Sequence, residues 1–322
     1  MKEFNIKNGK RIHPYVGGPK INPNKRRSAL SVKKPKKAPV KSETVFKPPY
    51  IMSLFPDVPD ERDFTIKNTP NLFKVDENLN LASKLDYSSN MSEVRDQGNL
   101  GSCVAFAAAA MKEWQERKEH DKEVSEGKED HREGKEYNYS EAWIYWNCKK
   151  IDAWPNEEGT SIRDAMQVLN KIGVPTEKAW PYSDDKLNIG KPASWATLIA
   201  KWAMIGAYYR VDTVEQAKVA LTQDGPFIMG VPCFYDFFFP VDGFVKDPAD
   251  GEVNYGGHAL CVVGYDDNTQ RIKFKNSWGT GWGQNGYGYI SYNYFNKYSW
   301  SNWACKDVTV TTEMLKGHSS LT

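Results

Sequence analysis

The chain has 322 residues, enough for one large or two modest domains, and 40% are hydrophobic, with 17 Tyr, 14 Phe and 11 Trp to fill a sizeable core. A net charge of +2 gives the chain as a whole no strong electrostatic bias, and five cysteines without a framework spacing exclude a disulfide scaffold and point to a reducing compartment. With no N-terminal apolar h-region and no long apolar run, neither a signal peptide nor a membrane span is expected, which implies a cytoplasmic or intraviral setting.

Charge is unevenly spread. Glu3 and Glu43 are the only acidic residues in 1–50, a stretch rich in Lys, Arg, Pro and Asn, and the densest part, Ser31–Val40, carries four lysines. Such a segment cannot bury enough surface to order itself and reads as a disordered, solvated tail. The alternative role is weak, salt-sensitive, sequence-blind contact with nucleic acid or another acidic partner, since no aromatic platform or groove-reading helix accompanies the charge. Residues 51–80 form an N-terminal extension. Leu54, Phe55, Val58 and Phe64 suit it to docking on a globular surface, and Pro48, Pro49, Pro56 and Pro59 rule out a long helix.

The domain proper spans residues 81–322. Gln97-Gly98-Asn99-Leu100-Gly101-Ser102 is a polar loop running into a helix in which Val104, Ala107, Ala108, Met111 and Trp114 recur at helical spacing. Cys103 falls in the first turn, with Ser102 as the expected N-cap. Unpaired N–H groups and the positive helix end there favour a thiolate, the attacking form of a cysteine. From Lys112 to Lys135 charges of both signs alternate, predicting a helical extension and then a mobile, solvated loop. His120 and His131 lack the rigid spacing of metal ligands, and no metal is expected.

Helices follow over 140–150 and 160–172, the second with Ile162, Met166, Leu169 and Ile172 on one face. The period then changes. Residues 202–210 alternate as a strand, Thr213-Val214-Glu215-Gln216 is a capping box, and strands are predicted over 227–231, 259–263, 271–274 and 287–291. This is an α+β chain: a helical half carries the thiol and an antiparallel β half follows, with a cleft between them.

A thiolate needs a base, an orienter for the base and donors for an oxyanion. Of the five histidines only His258 is well placed, in Gly256-Gly257-His258-Ala259-Leu260-Cys261-Val262-Val263, at the start of a strand. Cys261, three residues on, points to the opposite face and reads as core. Asn276 ends a later strand in Asn276-Ser277-Trp278-Gly279-Thr280-Gly281-Trp282-Gly283. Its amide can accept the imidazole N–H, and Trp278 can shield that bond.

These blocks resemble the papain-like cysteine peptidases over roughly residues 80–310. The resemblance implies a two-subdomain fold and peptide-bond hydrolysis, with Cys103 as nucleophile, His258 as general base and acid, Asn276 as its orienter and Gln97 as oxyanion donor together with the Cys103 N–H. It further implies that Gly159 and Thr160 line the edge that binds substrate backbone, that Gly257 and Trp278 belong to the substrate groove, and that no cofactor takes part. Relatives are commonly made as zymogens. The usual long helical pro-region is missing here, so residues 51–80 are expected to pack on the domain, with cover of the cleft as the alternative.

Two departures stand beside the nucleophile. Leu100 replaces a half-cystine, and Val104 replaces an aromatic residue. The Cys–His spacing exceeds the roughly 130–150 residues of the family, and the charged insertion after Lys112 accounts for most of the excess. Two rival readings use other chemistry: a non-catalytic binding module on the same fold, and a nucleic-acid-associated structural protein acting through the basic tail.

Overall fold

The computed structural model describes residues 46–58, 60–61, 63–65, 80–127, 137–186 and 188–307. The chain divides into the units Met1–Phe46 and Lys47–Thr322. Residues 1–45 of the basic tail, on which its nucleic-acid alternative rests, lie outside the described residues, as does His131.

After a short strand β1 (Lys84–Asp86), the helix α1 (Cys103–Ser125) crosses the middle of the domain. Five alanines in its first eight residues give it strong helix propensity and a thin profile, and every residue from Cys103 to Glu116 is buried. The helix continues into the charged stretch as expected, and its first charged turns are buried. Lys112, Glu113, Gln115 and Glu116 are inside, Lys112 paired with Glu116 on the same helix and with Asp307, and Glu113 with Arg95, and only the turns beyond them reach solvent. Ser102 departs from expectation: it occupies the N-cap position without a capping hydrogen bond, and its hydroxyl goes to Tyr182 Oη at 2.6 Å instead.

Helices α2 (Glu141–Ile151) and α3 (Ile162–Lys171) pack beside α1. Their N-caps are built as the sequence directs, with Ser140 Oγ accepting from Trp143 N and Ser161 Oγ from Asp164 N. A single short turn, α4 (Ala196–Ala200), leads out of this helical half.

The second half is an antiparallel sheet. It comprises β2 (Ile205–Arg210), β3 (Phe227–Pro232), β4 (Gly257–Asp266), β5 (Arg271–Lys275), β6 (Tyr287–Ser291) and β7 (Trp300–Asp307), in spatial order β2-β7-β3-β4-β5-β6. Helices α5 (Val214–Gln223), α6 (Tyr235–Phe238) and α7 (Tyr292–Tyr298) connect the strands. Thr213 caps α5 by accepting from Gln216 N. β4 is the central strand: its first part pairs with β3, its last three residues pair with β1, and β5 runs along its other edge. With α1 on one side and α5 near the other, residues 258–265 are buried on both faces, which explains their nearly unbroken apolar run. The predicted strand at 202–210 starts later, at Ile205, because residues 201–203 turn.

Candidate active site

The two halves meet where the N-terminus of α1 faces the start of β4. The Cys103 sulfur lies against the backbone N–H of Ala259, the residue after His258, and near the N–H groups of Val104 and of Cys103 itself. These donors lower the thiol pKa, yet complete burial outweighs them and pushes it up to about 11. The helix end alone does not decide the thiol's charge in this state, because something covers it.

His258 is wholly buried, and its Nε2 bonds Asn276 Oδ1 at 2.7 Å. The same Oδ1 accepts from Ser277 N–H at 2.7 Å, which fixes that atom as the amide oxygen, so the imidazole proton sits on Nε2. Nδ1 is left with a free lone pair and no partner. The Trp278 indole lies over the imidazole, ring centres 4.4 Å apart and 26° from parallel, with Phe237 edge-on to it. Burial depresses the His258 pKa to about 4, with the Asn276 bond opposing. Thiol and imidazole are thus both neutral near pH 7 in this state.

Gln97 is brought to the same place by the backbone: its N–H donates to Ser277 O at 2.9 Å, and Asp96 bridges to Trp278. Ser277 Oγ holds Gln97 Oε1 at 2.7 Å, and one Nε2 hydrogen goes to Leu100 O at 3.0 Å. Gly257 and Thr160 offer carbonyls to the groove from opposite walls. Gly159 contributes differently from expectation. Its own N–H points to Tyr145 Oη and its carbonyl to Lys149 Nζ, so what it gives the groove is space, at a φ of +102° that a side chain would strain. Among the described residues no group of three or more His, Cys, Asp or Glu is arranged to hold a metal ion.

The cover is the N-terminal extension, whose place in the groove the sequence left as its second alternative. Tyr50 stacks on Trp278, rings 4.0 Å apart and 4° from parallel. Met52 rests on Gly256, and the Ser53 hydroxyl stands beside the Cys103 sulfur. Leu54 N–H then donates to Gly257 O at 3.0 Å, and Phe55 N–H to Thr160 O at 3.1 Å, so the strap bonds both walls. Beyond it, Phe55 stacks on Trp154, and Asp57 accepts from Trp303 Nε1 at 2.8 Å, Arg163 N at 3.1 Å and Arg210 Nη1 at 3.3 Å. Arg163 also pairs with Asp60 and Asp63. The apolar residues Leu54, Phe55 and Val58, which suit the segment to docking, were the trace of this in the sequence.

A thiol at a helix N-terminus, an Asn-held imidazole on the facing strand and a peptide lying between them define a cysteine hydrolase of two half-domains. The profile of the papain family cysteine proteases matches residues 81–307, and the chain belongs to that family as a cysteine-type peptidase. An uncharacterised peptidase C1-like protein of Acanthamoeba polyphaga mimivirus is 32% identical over 261 residues, covering 73% of this chain and 79% of that one. The viral cathepsin of Autographa californica nuclear polyhedrosis virus is 29% identical over 210 residues, 64% of this chain and 57% of its own. Among solved structures, xylellain, a cysteine protease from Xylella fastidiosa, is similar at 28% identity and a TM-score of 0.65, with 82% of this chain and all of that one covered.

Proposed function

We propose that the protein hydrolyses peptide bonds through an acyl-enzyme on Cys103 and that residues 50–57 hold it inactive. With the groove open, the Cys103 proton passes to His258 Nδ1 and the thiolate attacks the scissile carbonyl carbon. The oxyanion is met by the free Gln97 Nε2 hydrogen and the Cys103 N–H. The imidazolium then protonates the leaving amine, and water, deprotonated by His258, releases the acyl group. Asn276 and Trp278 hold the ring throughout. Thr160 and Gly257 carbonyls receive substrate N–H groups, as they now receive those of the strap, and Gly159 leaves room for the chain.

The observation that carries this reading is the His258 Nε2 bond to Asn276 Oδ1 at 2.7 Å, which leaves Nδ1 free on a strand whose next N–H meets the Cys103 sulfur. Self-inhibition is supported by the Ser53 hydroxyl of the strap standing beside the sulfur while the Leu54 and Phe55 N–H groups occupy the carbonyls of both walls. Five free, buried cysteines suit a reducing interior, cytoplasmic or intraviral, in keeping with the viral relatives. Among the described residues no helix is long and apolar enough to cross a membrane.

The test is alkylation of the full chain by an epoxysuccinyl probe at pH 6–7, before and after the strap is released by Asp57→Ala, with Cys103→Ala as control. Rapid labelling of Cys103 alone after release, together with peptide hydrolysis, is expected. A Cys103 that reacts no faster than the other four cysteines would leave a non-catalytic binding module.

A further inference from the structure

The wall that meets Phe55 belongs to a loop tied down by one ammonium. Residues 152–159 lead from the C-terminus of α2 to Thr160, and Pro155, Asn156 and Glu157 in the middle are exposed, so apolar packing does not fix their course. The five cysteines are free and none lies in this loop, so no disulfide braces it either. Lys149, in the last turn of α2 with its side chain 10% exposed, sends its Nζ into the loop. It donates to Asp152 Oδ2 at 2.8 Å, Trp154 O at 2.6 Å and Gly159 O at 2.9 Å. An ammonium has three hydrogens, and all three go to this one loop. The Asp152 carboxylate, wholly buried, accepts from Trp154 N–H through its other oxygen at 3.0 Å. The remaining ties are weaker: Gly159 N–H reaches Tyr145 Oη at 3.4 Å, and Glu158 meets Lys186 where both are open to water.

What the ammonium fixes is what the strap touches. Trp154 carries the ring on which Phe55 stacks, centres 4.6 Å apart. Gly159 faces Ser53, so closely that a β-carbon there would stand 1.8 Å from Ser53 O, and Thr160 O accepts from Phe55 N–H. Resting on the peptidase reading above, we propose that Lys149 is a positioning residue for substrate binding: its ammonium holds Trp154, Gly159 and Thr160 in the place where an extended peptide is gripped. Charge-assisted hydrogen bonds are roughly twice as strong as neutral ones, and an edge already in place need not be ordered when the peptide arrives. The reacting groups stand on other elements, α1 and β4. Loss of the ammonium therefore falls on KM and spares kcat.

The experiment compares Lys149→Met with its parent in the full chain carrying Asp57→Ala. KM for an extended peptide is expected to rise about tenfold, with kcat kept within about twofold. Alkylation of Cys103 by iodoacetamide, which needs the thiolate alone, should not change. An unaltered KM overturns the assignment, and so does a fall in kcat and alkylation together, which would show a general loosening. Removing Lys149 also strands the Asp152 carboxylate, so the comparison is repeated with Asp152→Asn added, whose amide oxygen still serves Trp154 N–H. KM should stay raised in this double variant, and a return to the parent value overturns the assignment. A parent chain whose Cys103 neither alkylates nor cuts removes the peptidase reading beneath it. The last measurement needs no turnover: with Asp57 intact, Lys149→Met should speed Cys103 alkylation about tenfold by freeing Phe55 from Trp154 and Thr160. Equal rates overturn the assignment.

Discussion

His258 Nε2 donates to Asn276 Oδ1 beneath the indole of Trp278, and this one bond decides which imidazole nitrogen carries the proton and which keeps a free lone pair. Removing the amide frees the ring to take the other tautomer without removing the base. Asn276→Ala in a strap-released background is therefore expected to lower kcat about 10–100-fold with little change in KM. A KM effect alone would mean that Asn276 contacts substrate and does not orient His258.

Gln97 differs from Asn276 in acting on the oxyanion directly. With Oε1 held by Ser277 and one Nε2 hydrogen by Leu100, the remaining hydrogen is aimed by two fixed bonds. Gln97→Ala should cost about 10²–10³ in kcat. The alkylation rate of Cys103, which forms no oxyanion, should change far less, and equal losses in both would show that the loop had moved.

The covered state has a pH dependence of known sign. His258 sits at about 4 under the strap and near 6.5 when free, so in the covered protein it is neutral where the open form would take up a proton. As pH falls from about 6.5 to 4 the open form binds the extra proton and gains up to roughly 3 kcal/mol over the covered one. Acidification through that window should therefore speed Cys103 alkylation relative to the same protein with Asp57→Ala, which is already open. At the alkaline end the Cys103 thiol, raised to about 11, again favours the open form above pH 9. A ratio of the two rates that stays flat from pH 7 to 4.5 would contradict strap control.

Much of this was legible in the sequence for a physical reason. Cys103, His258 and Asn276 each sit at a junction marked by local chemistry: a polar loop opening an alanine-rich helix, a glycine pair before an apolar strand, and a strand ending in a Gly/Trp turn. Strand β6 matched its predicted span, and α2 and α3 lay within about two residues of where the sequence put them. β7, reading Trp-Ser-Asn-Trp-Ala-Cys-Lys-Asp, was missed because it is buried from Ser301 to Cys305 and so shows no alternation. The strap was legible only as something that docks. Its position depends on Gly159, Gly230 and Gly257 leaving space from three distant parts of the chain, which no local pattern encodes.

Glu113 gives the last prediction. In sequence it belongs to a run of charges that reads as a helical extension, with nothing to mark it as buried. In the fold its carboxylate is fully buried and accepts from Arg95 Nη2 at 2.5 Å, Tyr139 N at 2.9 Å and Ser92 Oγ. Ser92 also takes Lys275 Nζ, at 2.8 Å through its hydroxyl and 2.9 Å through its carbonyl. Arg95 stands two residues before Gln97, Glu113 is on the helix of Cys103, and Lys275 precedes Asn276, so this web ties together the three segments that carry the site. Burial already lowers the Lys275 pKa to about 8 with Glu113 opposing the shift. Glu113→Ala would take the nearby carboxylate from buried Lys275 and leave half-buried Arg95 with Glu141 at 2.9 Å, a change expected to cost about 3–5 kcal/mol and to lower Tm by roughly 6–20 °C. Glu113→Gln, which retains the hydrogen-bonding shape without the charge, should lose less stability. In strap-released protein below its Tm, either variant should slow Cys103 alkylation by loosening the register of α1 against β5. A Tm shift with unaltered alkylation would restrict the web to stability alone.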